Sequence, residues 1–332
     1  MTRTVRGTGL MLAGAALAAV CVASVLIGAH PLTLDQALTA FTDFRGTDSD
    51  RIVRYIRLPR TLAGLLAGVA LALAGVVMQG LTRNPLAGPG LLGINAGASL
   101  AIVLAMGALS VTTPAGFVWF AFLGAAIAAA CVYLLGSLGF GGATPVKLAL
   151  GGAACTALWA SITTAVTLLN RTTFDNFRFW VVGSLARADL ESLGGTAPFI
   201  AVGAVLALVV ARPLNTIAIG DDMARTLGTR LVPVRATGAC AVVLLAGAAV
   251  AVAGPIGFVG LVIPHIARAV AGPDYRWVLV WSAVLGPTLL LLADIVGRVV
   301  ARPQEIQVGI ITAFAGAPFF LYLVRDRKVA KL

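Results

Sequence analysis

Charge is what this sequence has least of. Only 11% of its 332 residues are Asp, Glu, Lys or Arg, and 59% are hydrophobic; an ordinary soluble domain has roughly 25% charged residues. A soluble fold must wet its own exterior, and this composition leaves too little polar surface for that. The chain is therefore read as an integral membrane protein, nearly all of it embedded. Histidine is scarce too: His30 and His265 are too few and too far apart to form a metal site. The four cysteines, Cys21, Cys131, Cys155 and Cys240, lie inside apolar runs with no C-x-x-C, which reads as small buried side chains rather than ligands or disulfides. No G-x-x-x-x-G-K-[ST] is present, so the chain holds no nucleotide in a phosphate loop. No nucleophile–base pair stands out, and no cofactor is expected. The net charge of +11 marks no nucleic-acid surface, because the basic residues sit in short patches between apolar stretches.

What is present is a series of long apolar runs. No charge occurs between Arg83 and Lys147, between Lys147 and Arg171, or between Arg235 and Arg268. A helix needs about 20 apolar residues to cross the hydrocarbon. Divided at their breakers, the runs predict ten spans, near 8–29, 60–82, 90–109, 114–136, 147–169, 192–211, 234–254, 256–271, 277–298 and 307–324. The runs are continuous rather than alternating, which excludes a closed barrel. The fold class is thus all-α integral membrane, a single domain over 1–332. The first run exceeds a usual signal-peptide core and has no clear cleavage site, so it is read as a retained helix. With the N-terminus inside, fourteen Lys/Arg fall on the inner side and ten on the outer, which puts both termini in the cytoplasm.

Leu65–Gly75 reappears as Leu244–Gly254, with eight of eleven positions identical at an offset of 179, and the same offset carries Pro85 onto Pro264. This predicts an internal repeat, halves 60–170 and 234–324. An odd number of spans separates their starts, so the halves are inverted, as in many transporters. Chance similarity of Ala/Gly-rich helices is the competing reading.

Several segments carry candidate chemistry. Arg57-Leu58-Pro59-Arg60 precedes the second span at the outer surface; its arginines are interfacial anchors or a docking surface for an acidic partner. Arg83-Asn84-Pro85-Leu86, running on to Gly93, holds a formal G-x-G-x-x-G. No strand precedes it, so it reads as a tight corner lining the inner mouth of a pathway rather than a dinucleotide site. Within the loop 212–232, Gly220-Asp221-Asp222-Met223-Ala224-Arg225-Thr226-Leu227-Gly228 predicts a short helix capped by Asp221 or Asp222 and stopped at Gly228. Met223 and Leu227, at i and i+4, form an apolar stripe for docking another protein, or for packing on the bundle itself. Asp294 is the one carboxylate within a span, and Arg298 lies at i+4, which predicts a structural ion pair. His265 reads as a hydrogen-bonded packing residue.

Taken in order, these segments resemble the FecCD-type permeases, the membrane subunits of ABC importers for ferric siderophores, heme and cobalamin. The match runs from about 51 to 324. It rests on Arg57-Leu58-Pro59-Arg60, then Gln79 with Arg83–Ala87, then Phe179–Leu185, Leu214-Asn215, Gly220–Gly228, Gly254–His265, Ala293-Asp294, Val308–Thr312 and Gly316–Phe320. Gln307 stands where the family pattern has proline. The resemblance implies ten spans per subunit and a dimer, homo- or heteromeric, with a central pathway between subunits. It implies two cytosolic ATPase subunits, with Gly220–Gly228 as the coupling helix, and an extracytoplasmic binding protein whose acids meet Arg57, Arg60 and Arg298. The corner Asn84, Pro85 and Leu86, together with Thr144, Pro145 and Val146, would form the cytoplasmic gate.

A chelate that already satisfies its metal needs a weakly binding lining, for which Ser161, Thr163, Thr164 and Thr167 are candidates, although such hydroxyls also bond their own helix. Asp175–Trp180 resembles siderophore members more than cobalamin members, so the expected cargo is a ferric siderophore, with heme or cobalamin as alternatives. An ion-coupled carrier would need more paired intramembrane charges, and a membrane enzyme would need a catalytic cluster. The expected location is the bacterial cytoplasmic membrane.

Overall fold

An apolar run in hydrocarbon must satisfy its backbone internally, and a helix does so within one segment. The computed structural model describes residues 3–325 apart from 110, 112 and 139–143. Arg327, Lys328 and Lys331, counted above on the inner side, lie outside the described residues. The helices are α1 (Arg3–Leu26), α2 (Leu34–Thr42), α3 (Asp48–Arg51), α4 (Leu58–Thr82), α5 (Ile94–Ala108), α6 (Pro114–Ser137), α7 (Pro145–Leu169), α8 (Arg171–Trp180), α9 (Leu190–Ile217), α10 (Asp221–Thr226), α11 (Leu231–Ala253), α12 (Val259–Ala271), α13 (Tyr275–Val300) and α14 (Val308–Arg325). A π-helical turn, Ile52–Arg57, joins α3 to α4, and a 3-10 turn, Pro89–Leu92, leads into α5.

Among the described residues there is no strand, and seven helical segments are long and apolar enough to cross a membrane. With the shorter apolar helices α5, α12 and α14 this gives the ten expected apolar helices. The ends follow local chemistry. Thr113, Thr144 and Asp189 accept from backbone N–H groups at the starts of α6, α7 and α9, and proline opens α6 and α7. Helix α9 outruns its predicted end, passing through Pro213 to Ile217.

Helix α4 is the hub. Its apolar window is 78% buried, against 6% for α1. Glycine makes that burial possible. A Cβ on Gly75 would lie 1.9 Å from the Gly260 carbonyl oxygen of α12, and one on Gly68 would lie 2.4 Å from Pro287 Cα of α13. Small residues thus let three backbones meet.

The 179-residue offset does not equate structural positions. Gly75 lies inside α4, whereas Gly254 ends α11 with φ +71°; Pro85 lies in a turn, whereas Pro264 lies inside α12. The matching stretches therefore sit at different places in their helices. A relation between halves is visible instead in the packing. Helices α4–α7 and α11–α14 each run long, short, long, then a fourth helix. Helix α4 packs on α12 and α13, and α11 packs on α5 and α6; α5 packs on α6 and α7 as α12 packs on α13 and α14. Exchanging the halves preserves each of these pairings.

Candidate functional site

One end of the bundle carries α10. Gly220, at φ +123°, turns the chain into this helix, and Gly228, at φ +80°, turns it out. Neither Asp221 nor Asp222 caps it by side chain. Asp221 instead ties the helix down, with its carboxylate 2.7 Å from Arg235 and 4.0 Å from Arg83. Ala224 is fully buried beneath the helix. Met223 and Leu227 are 52% and 59% exposed, and Arg225 and Asp222 flank them at the surface. The result is a short anchored helix presenting an apolar stripe outward, with a charge of each sign beside it.

The adjoining corner is rigid. Arg83, at φ +50°, ends α4, and Leu86 N–H donates to Asn84 Oδ1 at 2.9 Å. The 3-10 turn and Gly93, at φ +67°, then start α5. The Leu91 carbonyl packs so closely on α7 that a Cβ on Gly152 would lie 1.8 Å from it. Pro85 is partly buried and Asn84 exposed. Thr144 caps α7 through Lys147 N–H, Pro145 opens that helix, and Val146 is 68% exposed.

At the opposite end, Arg57, Arg60 and Arg298 are buried, with relative exposures of 4%, 5% and 0%. Arg60 holds Asp294 with Nε at 3.0 Å and Nη2 at 2.8 Å, and reaches Glu305 at 2.6 Å. Arg298 pairs with Asp294 at 2.9 Å, the i, i+4 pair expected from sequence. The other donors go to the end of α1 and the residues after it. Arg298 donates to the Ser24 and Ile27 carbonyls at 2.8 and 2.9 Å, Arg57 to those of Ile27 and His30 at 3.1 and 3.4 Å, and Arg302 to that of Gly28 at 2.8 Å. Three arginines thus satisfy carbonyls of the last turn of α1 and of the chain just after it. The exposed arginines at this end are Arg45, Arg51, Arg171, Arg178, Arg187 and Arg302.

The four candidate lining hydroxyls of α7, Ser161, Thr163, Thr164 and Thr167, divide between two faces. Ser161 and Thr164 are exposed beside Leu158, and each donates to its own helix. Thr163 and Thr167 are buried, which removes them from any lining on the outside of the chain. Cys240 is exposed, contrary to expectation, because it lies on the outer face of α11. His265 packs edge-on against Phe319, ring centroids 5.8 Å apart. Among the described residues no group of three or more His, Cys, Asp or Glu could hold a metal. Sequence reasoning missed the role of α1, since Ser24 carries no motif, and missed Glu305 as a partner of Arg60.

The class of the protein, a membrane transport component, comes from comparison with known proteins. The chain belongs to the FecCD transport family, whose sequence profile matches residues 15–326. It is 43% identical over 327 residues to FepD, the ferric enterobactin transport system permease protein of Escherichia coli (strain K12), covering 98% of this chain and 97% of FepD. It is 42% identical to YfmD, the Fe(3+)-citrate import system permease protein of Bacillus subtilis (strain 168), covering 92% of this chain and 90% of YfmD. A solved structure described as an inward-facing metal-chelate type ABC transporter matches with a TM-score of 0.84 at 28% identity, covering 96% of this chain and 99% of that one. FecCD-type permeases are ABC transport components that work with ATPase and substrate-binding partners.

Proposed function

We propose that this chain is one half of a dimeric transmembrane pathway that carries a ferric siderophore into the cell. The family and the relatives support an ABC import role, and the chemistry of their ferric-chelate cargoes supports the substrate class. The observation that carries the coupling assignment is α10: six residues tied to the bundle through Asp221, with Met223 and Leu227 turned outward. A cytosolic ATPase subunit would receive that stripe, which sets the α10 end inside and both termini in the cytoplasm of a bacterial cell. The corner Asn84–Leu86 and the start of α7 at Thr144–Val146 would close the pathway there.

At the outer end, an acidic binding protein would meet the exposed arginines, such as Arg51 and Arg187, rather than Arg57, Arg60 or Arg298. A pathway shared between two subunits must be lined by residues on the outside of each one. Ser161 and Thr164 meet that condition.

The test is uptake of radiolabelled ferric chelates by cells lacking the native permease, with ATPase co-purification in parallel. Met223→Glu/Leu227→Glu should abolish both uptake and ATPase retention while the permease still reaches the membrane. Uptake that persists without any ATPase would overturn the proposal.

A further inference from the structure

At the α10 end a cavity of about 310 Å³ opens between the ends of α4, α9 and α12 and the start of α13. Gln79, Arg83, His265, Arg268 and Tyr275 line it, together with Pro85, Ala218, Ala269 and Pro273. Among these described residues there is no Asp or Glu.

Arg268 is the unusual member. It makes no ion pair among the described residues; its Nη2 donates to Gln79 Oε1. The Gln79 amide is held in that orientation, because its Nε2 donates to the carbonyls of Gly260 and Leu261 at 3.4 and 3.3 Å. A neutral amide orients a guanidinium without balancing its charge. The nearby acids are engaged elsewhere: Asp221 with Arg235 at 2.7 Å, and Asp274 with Arg276 and Asn215 at 2.9 and 2.8 Å. At the other end of the same bundle, Arg60 and Arg298 share Asp294. A cation withdrawn from water needs a counter-charge. Here the wall supplies two guanidiniums, an imidazole and a phenol, and leaves the anion to come from outside.

We propose that this cavity binds a phosphate-bearing anion, with Arg268 and Arg83 as its cationic arms and Tyr275 as a hydrogen-bond donor. Guanidinium forks match phosphate oxygens in pairs. The volume is in the range of small-molecule sites, and the rim at Ala218, Ala269 and Pro273 is exposed. Basic pockets between transmembrane helices suit acidic lipid head groups, and a free phosphate offers the same chemistry. Arg83 also faces Asp221 of α10 at 4.0 Å, so an anion in the cavity competes with Asp221 for it and links occupancy to the seating of α10.

The experiment reads the unfolding temperature of the full-length chain in phosphatidylcholine nanodiscs, titrated either with phosphatidylglycerol or with inorganic phosphate. A rise with phosphatidylglycerol that Arg268→Gln loses identifies a lipid head group. A rise with inorganic phosphate that the same variant loses identifies a free anion. Direct binding of the active anion should weaken about tenfold in Arg268→Gln, as expected for a lost charge-assisted hydrogen bond. If that variant does not fold, Arg83→Gln, on the more open wall, must weaken binding instead. Arg225→Gln, exposed on α10, should respond as wild type. No response of the wild type to either anion, or an undiminished response in both Arg268→Gln and Arg83→Gln, would overturn the proposal.

Discussion

Asp294 stands where distant segments meet, and its environment shows how one carboxylate governs several cations. Fully buried, it pairs with both Arg60 and Arg298, and Glu305 supplies Arg60 with a second carboxylate. Replacing it with Asn would leave buried Arg298 without a carboxylate and Arg60 with Glu305 alone, a change that costs about 3–5 kcal/mol when a buried pair is broken. Asp294→Asn should therefore lower unfolding temperature sharply in detergent, whereas Asp222→Asn, whose carboxylate is exposed on α10, should leave it unchanged. Half of this site was legible in the sequence: the i, i+4 spacing gave Arg298. Arg60 lies 234 residues from Asp294, and no local pattern links them. The arginines preceding the second span looked like surface anchors because their acceptors lie in distant segments: the carbonyls of Ile27 and His30 for Arg57, the carboxylates of Asp294 and Glu305 for Arg60.

Asp274, outside the spans, gives a pH dependence. The Arg276 guanidinium, with the Asn215 amide, holds its carboxyl at about 2 against the burial that would raise it. The unfolded value is near 3.9. A depressed folded value stabilises the protein above the unfolded pKa and ceases to as pH falls through the folded one. Unfolding temperature should thus decline between about pH 4 and pH 2 partly through this group. Asp274→Asn should flatten that part of the decline, measured by thermal unfolding across the window; an unchanged slope would refute it.

At the scale of the element, contact between helices depends on missing side chains. Gly75→Val would push a methyl-bearing Cβ into the Gly260 carbonyl and drive α4 from α12. Overpacking of this kind costs about 1–3 kcal/mol, seen as reduced stability. Gly195→Ala in α9, where nothing lies within 4 Å, should be neutral or slightly stabilising. Helix positions were legible because apolar run length, proline at helix starts and threonine caps all act locally. Which glycine meets which backbone was not, since that depends on the approach of two helices. The same limit explains why an identity at offset 179 pointed to non-equivalent positions: Ala/Gly periodicity records packing style, not location.

At the scale of the whole molecule, α7 leaves much of one face uncovered, its apolar window only 22% buried. Leu150, Leu158 and Leu168 are 68%, 59% and 76% exposed, with Ser161 and Thr164 among them. In the proposed dimer, Thr164→Trp should obstruct the pathway and reduce chelate uptake by an order of magnitude or more, while permease abundance and ATPase retention stay normal. Uptake at the wild-type rate would show that this face meets lipid instead. The fold class and the outward stripe of α10 were readable from one chain. The lining was only partly so, because a hydroxyl's face along a helix is set by the neighbours that cover the other side.

The seat of α1 has a consequence of its own. Its arginines grip carbonyl oxygens, which every residue possesses, so the fit there is indifferent to nearly all of α1's side chains. Many greasy sequences of suitable length could be exchanged for it, provided the stretch frays at the same height and keeps a hydroxyl at Ser24. Pulling that segment away, by contrast, would strip Arg298 of three acceptors at once, so a helix that contributes little buried surface still holds the buried charge cluster in place.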